Sequence, residues 1–182
     1  MTQTPEYIID FWFNGIDSKL WFKKDDEFDL LLTAQFGQLH TSAAKAELYQ
    51  WRSNAEGRLA EIIVLDQFSR NIHRNTAEAF ASDPLALALA QEAVSHNCMD
   101  ELDPVKQSFL LMPYMHSESE AIHEVAVELF NQTGLDNTID YELKHQAIIK
   151  QFGRYPHRNK ILNRESTQAE LEFLKFPGSF LR

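Results

Sequence analysis

Helix-start signals recur along the chain and constrain its fold more than any other feature. A capping side chain followed by proline in the first turn occurs at Thr4-Pro5, Asp83-Pro84 and Asp103-Pro104. The capping-box pattern, Ser or Thr three residues before Glu, occurs at Ser117 with Glu120 and at Thr167 with Glu170. Alternating strand patterns and Asn-Gly hairpin turns are absent from the sequence. The sequence therefore predicts an all-α protein.

The spacing of these signals also predicts how the helices pack. Only short loops fit between the predicted helices, and short loops join helices that run antiparallel. A chain of 182 residues is long enough for one domain with its own core and short for two. We therefore predict antiparallel helix pairs in a single domain over residues 1–182, with Pro177-Gly178 ending the last helix.

Charge and hydropathy exclude several classes of function. The formal net charge of −10 argues against nucleic-acid binding, because such proteins neutralise phosphates with Lys and Arg. No apolar run approaches the ~20 residues that a membrane span needs. The N-terminal segment MTQTPEYIID lacks the basic and apolar regions of a signal peptide. We therefore expect a cytoplasmic protein with no nucleic-acid or membrane partner.

One basic segment stands out in this acidic chain. The stretch from Lys144 to Arg164 contains six Lys and Arg side chains and no acid. Within it, FGRYPHRN (152–159) is typical of a turn between two helices. Its glycine caps the end of the first helix, and its proline lies in the first turn of the second. Folding does not explain its remaining polar residues, which are Arg154, His157, Arg158 and Asn159. Their expected partners are Asp66, Glu118 or an external anion.

A second polar cluster interrupts an apolar helical stripe. The helix predicted from Glu56 to about Ser69 should bury one face by three-and-four spacing, and that face continues into Asp66 and Arg70. These two residues are four apart and close enough to pair. Asn71 and Arg74 follow on the neighbouring row. The pattern indicates either a structural ion pair or the wall of a polar pocket.

Two histidines complete the set of unexplained polar residues. His145 replaces an apolar residue on the stripe of its helix, and His116 follows Pro113, which is predicted to kink or end a helix. Glu118 lies beside the next helix N-terminus, where the helix dipole favours an acid. Capping does not explain His116, so we regard it as a candidate functional residue.

Metal binding is weakly supported by the spacing of these residues. Two Glu-x-x-His pairs occur, Glu120 with His123 and Glu142 with His145, but a di-iron bundle needs two further helices that each donate Glu. A single-metal site built from His116, Glu118, His145 and His157 has no diagnostic spacing. We therefore predict no metal site and no cofactor.

Three segments carry a family resemblance. These are LDQFSRNIHR (65–74), PYMHSES (113–119) and FGRYPHRNKILNRESTQAELEFL (152–174). They resemble a widespread bacterial family of unknown function that is grouped with tetratricopeptide-like helical folds. The resemblance implies a compact α-α superhelix and brings no function with it. One departure is Asn163, where the resemblance leads us to expect glycine before Arg164.

The favoured functional hypothesis is a pocket that binds a small anionic molecule and acts on it by hydrolase or lyase chemistry. His116 or His157 would be the general acid or base, and Asp66 or Glu118 the carboxylate that orients it. Arginines hold carboxylates and phosphates bidentately. The predicted substrate-binding residues are Arg70, Asn71, Arg74, His145, Arg154, Arg158 and Asn159.

Two alternatives remain open from the sequence. Tetratricopeptide-like superhelices often hold a protein or peptide partner on a concave face, which here would be a groove lined by Trp12, Trp21 and Tyr114. The polar motifs could instead form a buried network that fixes the helix register. Such a network is costly unless every charge is paired.

Overall fold

A computed structural model describes residues 3–176, and helices and turns without any strand make up this part of the chain. The predicted stop at Pro177-Gly178 lies outside these residues. The α-helices are α1 Pro5–Asp10, α2 Asp26–Ala44, α3 Ala55–Ile63, α4 Ser69–Ile72, α5 Asp83–Ser95, α6 Pro104–Met115, α7 Glu120–Gln132, α8 Asp136–Phe152 and α9 Gln168–Phe173. None of these helices is both long and apolar enough to cross a membrane.

The capping signals predict some helix starts correctly and fail at others. Asp103 accepts from the backbone N–H of Lys106 at 3.0 Å, and Thr167 with Glu170 forms the predicted capping box. The box predicted at Ser117 is wrong, because α7 begins at Glu120 with Ser119 before it and no side-chain cap. Pro113, which was predicted to kink or end its helix, does not end α6. Buried neighbours hold the helix through this proline to Met115.

Consecutive helices pack against one another around a shared apolar core. The pairs α5/α6, α6/α7 and α7/α8 are in contact, and a loop of four residues precedes α7 while one of three joins α7 to α8. Loops this short hold neighbouring helices antiparallel. The core contains Trp12 and Tyr114, which are 0% and 3% exposed. The expectation that they line an open groove is therefore wrong, because both rings are used for packing.

The helix that carries the Asp66 motif runs through the middle of the fold. Every residue over 59–69 is buried, so this segment is enclosed on all sides although it includes polar side chains. A π-helical turn at Val64–Phe68 separates α3 from α4. π turns insert one extra residue into a helix and are frequent at functional sites. This turn contains Asp66 and Gln67.

Candidate functional site

A cavity of about 600 Å³ lies where α4, α6 and α8 meet the turns that follow α8. Exposed residues such as Phe22 and Tyr141 form its rim, whereas Met115, Phe130 and Arg158 are buried in its wall. Predicted site residues that line the cavity are Arg70, Asn71, Arg74, His116, His145, His157 and Arg158. The polar segments singled out from the sequence therefore meet around one opening.

Asp66 lies behind this wall and is 1% exposed. Its Oδ1 atom is 3.0 Å from Nη1 of Arg70, as predicted from the spacing, and 2.7 Å from Nδ1 of His116. Burial would raise the pKa of the Asp66 carboxyl, but Arg70 and His116 outweigh burial and lower that pKa to about 2. Asp66 is therefore ionised at neutral pH and orients two residues of the cavity.

The protonation of His116 follows from this contact. Burial and the charge of Arg70 lower the pKa of His116, so its imidazole is neutral at pH 7. An ionised carboxylate only accepts hydrogen bonds, so Nδ1 of His116 carries the proton that it donates to Asp66. Nε2 then has the free lone pair. A buried carboxylate orients the histidine of hydrolytic triads in the same way.

Arg158 is the most deeply buried cation of the cavity, at 6% exposure. Its guanidinium lies 4.6 Å from the ring centre of Phe80 and 4.5 Å from that of Tyr155. It donates to Asp83 at 3.3 Å and to the carbonyl of His116 at 3.1 Å, while its Nε has no hydrogen-bond partner within residues 3–176. Burial and the nearby Arg70 lower the pKa of Arg158. Its hydrogen-bonding capacity is therefore incompletely satisfied by these partners.

Asp83 links the two arginines and was missed as a site residue. Its carboxylate accepts two bonds from Arg70, at 3.0 and 3.1 Å, besides the bond from Arg158. The sequence assigned Asp83 to helix capping, but Ser82 precedes the helix and Asp83 is the first residue of α5. The Asp-Pro pattern offered a sufficient local explanation, so nothing in the sequence pointed to this role.

His145 and His157 are neutral groups in the cavity wall. Burial lowers the pKa of His145 to about 3 and that of His157 to about 4, where the charge of Arg158 adds to the effect. Nδ1 of His145 is 2.7 Å from the backbone carbonyl of Tyr141 and must donate to it. Nε2 of His145 is therefore an acceptor at neutral pH.

Asn71 and Arg74 extend the polar wall toward α2. Nδ2 of Asn71 is 2.8 Å from Oδ1 of Asp29, and Nη2 of Arg74 is 2.6 Å from the same oxygen. Asp29 raises the pKa of Arg74. Both side chains are thus fixed by Asp29 of α2, and their amide and guanidinium groups border the cavity.

Besides Asp66, three predicted site residues lie outside the cavity lining: Glu118, Arg154 and Asn159. Arg154 makes a bidentate pair with Glu170 at 2.7 and 2.8 Å, and it also donates to the backbone carbonyl of Glu165. Neither of its expected partners, Asp66 or Glu118, contacts it in these bonds. Arg154 therefore ties the turn after α8 to α9.

Glu118 and Asn159 are both joined to Arg164. Glu118 accepts from Arg164 at 2.6 and 2.9 Å and from the backbone N–H of Tyr155 at 2.7 Å. Asn159 accepts from Arg164 and donates to Ser166, each at 3.0 Å. These bonds account for both residues structurally. Their proposed catalytic and substrate-binding roles stay predictions.

The turn that precedes Arg164 has the geometry that the family pattern suggests. Asn163 has φ +53°, in the left-handed region where glycine is favoured. Asparagine is among the few other residues that adopt this conformation readily. The departure from glycine at this position therefore leaves the turn intact.

The two Glu-x-x-His motifs meet crosswise instead of forming a metal site. His123 of the first motif is 2.6 Å from Glu142 of the second, and both side chains are fully buried. His123 also contacts the hydroxyl of Tyr155 at 3.2 Å. Within residues 3–176, no group of three or more His, Cys, Asp or Glu side chains is arranged to hold a metal ion.

The described residues thus form an all-helical protein with a cavity that is lined in part by buried polar side chains. The chain belongs to the family described as bacterial protein of unknown function (DUF924), whose sequence profile matches residues 8–178. It is similar to a solved structure, the protein of unknown function ATU0120 from Agrobacterium tumefaciens, with 37% identity, coverage of 94% of this chain and 96% of that one, and a TM-score of 0.89. No curated protein shows a significant match. The family resemblance is confirmed, and the tetratricopeptide-like superhelix stays a prediction.

Proposed function

We propose that the cavity binds a small anionic molecule and that His116, oriented by Asp66, acts on it as a general acid or base. The observation that supports this proposal is Arg158, a buried guanidinium that lines the cavity beside that of Arg70 and whose protein partners use only part of its donors. A buried charge with uncommitted donors is costly, and a bound anion relieves that cost.

The neighbours of Arg158 suit the same ligand. Arg70 shares the carboxylate of Asp83 with it, so two guanidinium groups are held side by side at the cavity. Aromatic rings on two sides fix the orientation of Arg158. An anion bound here would be near His116, whose Nε2 lone pair can take up a proton. Water or the ligand itself would be the nucleophile, which corresponds to hydrolase or lyase chemistry.

The binding step is tested by the melting temperature in the presence of inorganic phosphate. Phosphate should stabilise the wild-type protein, because a ligand of the native state raises its melting temperature. In Arg158→Gln this increase should be lost. Arg154→Gln is the matched control, since Arg154 is also in the basic segment but is held by Glu170 outside the cavity. An equal response of all three proteins to phosphate would contradict the proposal.

The chemical step is tested with a panel of p-nitrophenyl carboxylic and phosphate esters. Loss of a general base costs about 10²–10⁴ in rate, so His116→Gln should lower any turnover by that factor. Asp66→Asn should have a similar effect, because the amide cannot hold the same tautomer of His116. Turnover that is unchanged in both variants would remove His116 and Asp66 from the chemistry while leaving the binding proposal intact.

A further inference from the structure

We propose that the ligand of this cavity is an amphipathic anion, with a carboxylate or phosphate head group joined to an apolar body. This inference rests on the proposed function, because it assumes that the arginines of the cavity bind the anion. It adds the class of ligand, which follows from how polar and apolar side chains are distributed in the wall.

The cationic groups form one connected cluster. Asp83 joins Arg70 to Arg158, and Asp66 joins Arg70 to His116. The guanidinium donors of Arg70 and Arg158 are therefore held at one place in the cavity, with Asp66 and Asp83 balancing their charge. A single head group satisfies this cluster, and there is no second buried arginine pair along the described lining that would demand a second anion.

The rest of the buried wall is largely apolar. Met112, Met115 and Phe130 line the cavity and are 7%, 6% and 1% exposed, and the partly buried Ile161 borders it. An inorganic anion at Arg158 would leave the more exposed apolar lining, formed by Phe22, Phe80 and Ile161, against water. An apolar group attached to the head would cover them, which is favourable in proportion to the area removed from water.

The size of the cavity supports an organic ligand. Its volume of about 600 Å³ falls within the range of roughly 300–1,000 Å³ that is typical of sites for small organic molecules. A carboxylate or phosphate group alone would fill a small part of it. The methionine side chains are flexible and fit apolar groups of different shapes, so the site suits a class of amphipathic anions.

The inference is tested by calorimetric titration of the wild-type protein with straight-chain carboxylates from acetate to octanoate. Each added methylene should raise the affinity about fourfold until the chain fills the apolar part of the cavity. Alkyl phosphates of the same chain lengths compare the two head groups. Alkylammonium ions of matched length are the control and should not bind, because their charge is opposite.

The outcomes separate this inference from the proposed function. If acetate and inorganic phosphate bind but octanoate binds no better than acetate, the apolar body is wrong and the anion site stands. If none of the anions binds, both proposals fail. Met115→Gln should flatten the dependence on chain length, while Leu30→Gln, a change at a surface leucine that is 71% exposed, should leave it unchanged. Equal affinity for octanoate and octylammonium would also overturn the inference.

Discussion

Single buried polar residues determine the chemistry of this cavity. Asp66 is held ionised by Arg70 and His116, and it fixes the proton of His116 on Nδ1. Arg158 contributes a buried charge that its protein partners satisfy only in part. The sequence located Asp66 and Arg70 because a charge on an apolar stripe conflicts with burial. It located His116 and Arg158 because neither capping nor the turn explained them. It did not locate Asp83, whose place at a helix start already explained its charge.

The pH dependence of stability tests the environment of His145. Its pKa is about 3 in the folded protein and about 6.5 when unfolded. The unfolded chain therefore takes up a proton below pH 6.5 that the folded protein does not, so the stability contributed above pH 6.5 is lost as the pH falls toward 3. From pH 7 to pH 5, His145 should account for a loss of about 2 kcal/mol in the free energy of unfolding.

Urea denaturation of His145→Asn at pH 7 and pH 5 measures this contribution. Asparagine keeps a donor for the carbonyl of Tyr141 but does not titrate in this range. The variant should lose about 2 kcal/mol less than the wild type on acidification. His96→Asn, at an exposed position, is the control and should lose as much as the wild type. An equal loss in all three proteins would show that His145 is not desolvated as described.

At the scale of elements, close packing explains a glycine that helix propensity disfavours. Gly57 lies in the first turn of α3, where a Cβ atom would be 1.8 Å from the backbone oxygen of Trp51. Gly37 lies within α2 and has no atom within 4 Å of its Cβ position. The same substitution should therefore have opposite effects at the two sites.

Thermal and urea unfolding of the two alanine variants tests this packing. Gly57→Ala should lower the free energy of unfolding by about 3 kcal/mol, because α3 would have to move away from the preceding turn. Gly37→Ala should raise it by about 0.5–1 kcal/mol, since alanine loses less conformational freedom in a helix. Stabilisation of both variants would contradict the close approach of α3 to Trp51.

Elements also differ in how well the sequence predicts them. Local signals identified the starts of α1, α6 and α9, where a side chain caps backbone N–H groups. They did not identify the π turn at Val64–Phe68, because no local residue type specifies it and the enclosing core selects it. The same core carries α6 through Pro113. Tertiary packing outweighs local preference at both places.

At the scale of the whole molecule, the cavity joins segments that are distant in sequence. Its cationic cluster combines Arg70 of α4 with Arg158 of the turn after α8, and its apolar wall adds Phe130 of α7. Arg70 and Arg158 were predictable because the first interrupts an apolar stripe and the second lies in a basic turn that folding does not explain. The apolar members were not, because methionine and phenylalanine at helical spacing look the same in a core and in a ligand pocket.

Guanidinium donors inside an acidic protein have a further consequence for the whole molecule. The formal net charge is −10, so the chain as a whole repels anions, while the guanidinium groups of Arg70 and Arg158 can donate hydrogen bonds to an anion inside the cavity. Raising the ionic strength screens the long-range repulsion more than the contacts inside the cavity. Anion binding should therefore weaken less with added salt than a surface site would.

The most direct test of the central claim is a crystal structure of the protein soaked in 4-bromobenzoate, with bromine located by its anomalous scattering. We expect the carboxylate within hydrogen-bonding distance of Arg158 and the bromine beside Met112, Met115 or Phe130. Crystals of Arg158→Gln should show no bromine in the cavity. Bromine found only on the molecular surface of the wild-type protein, with water alone in the cavity, would contradict the claim that this cavity binds organic anions.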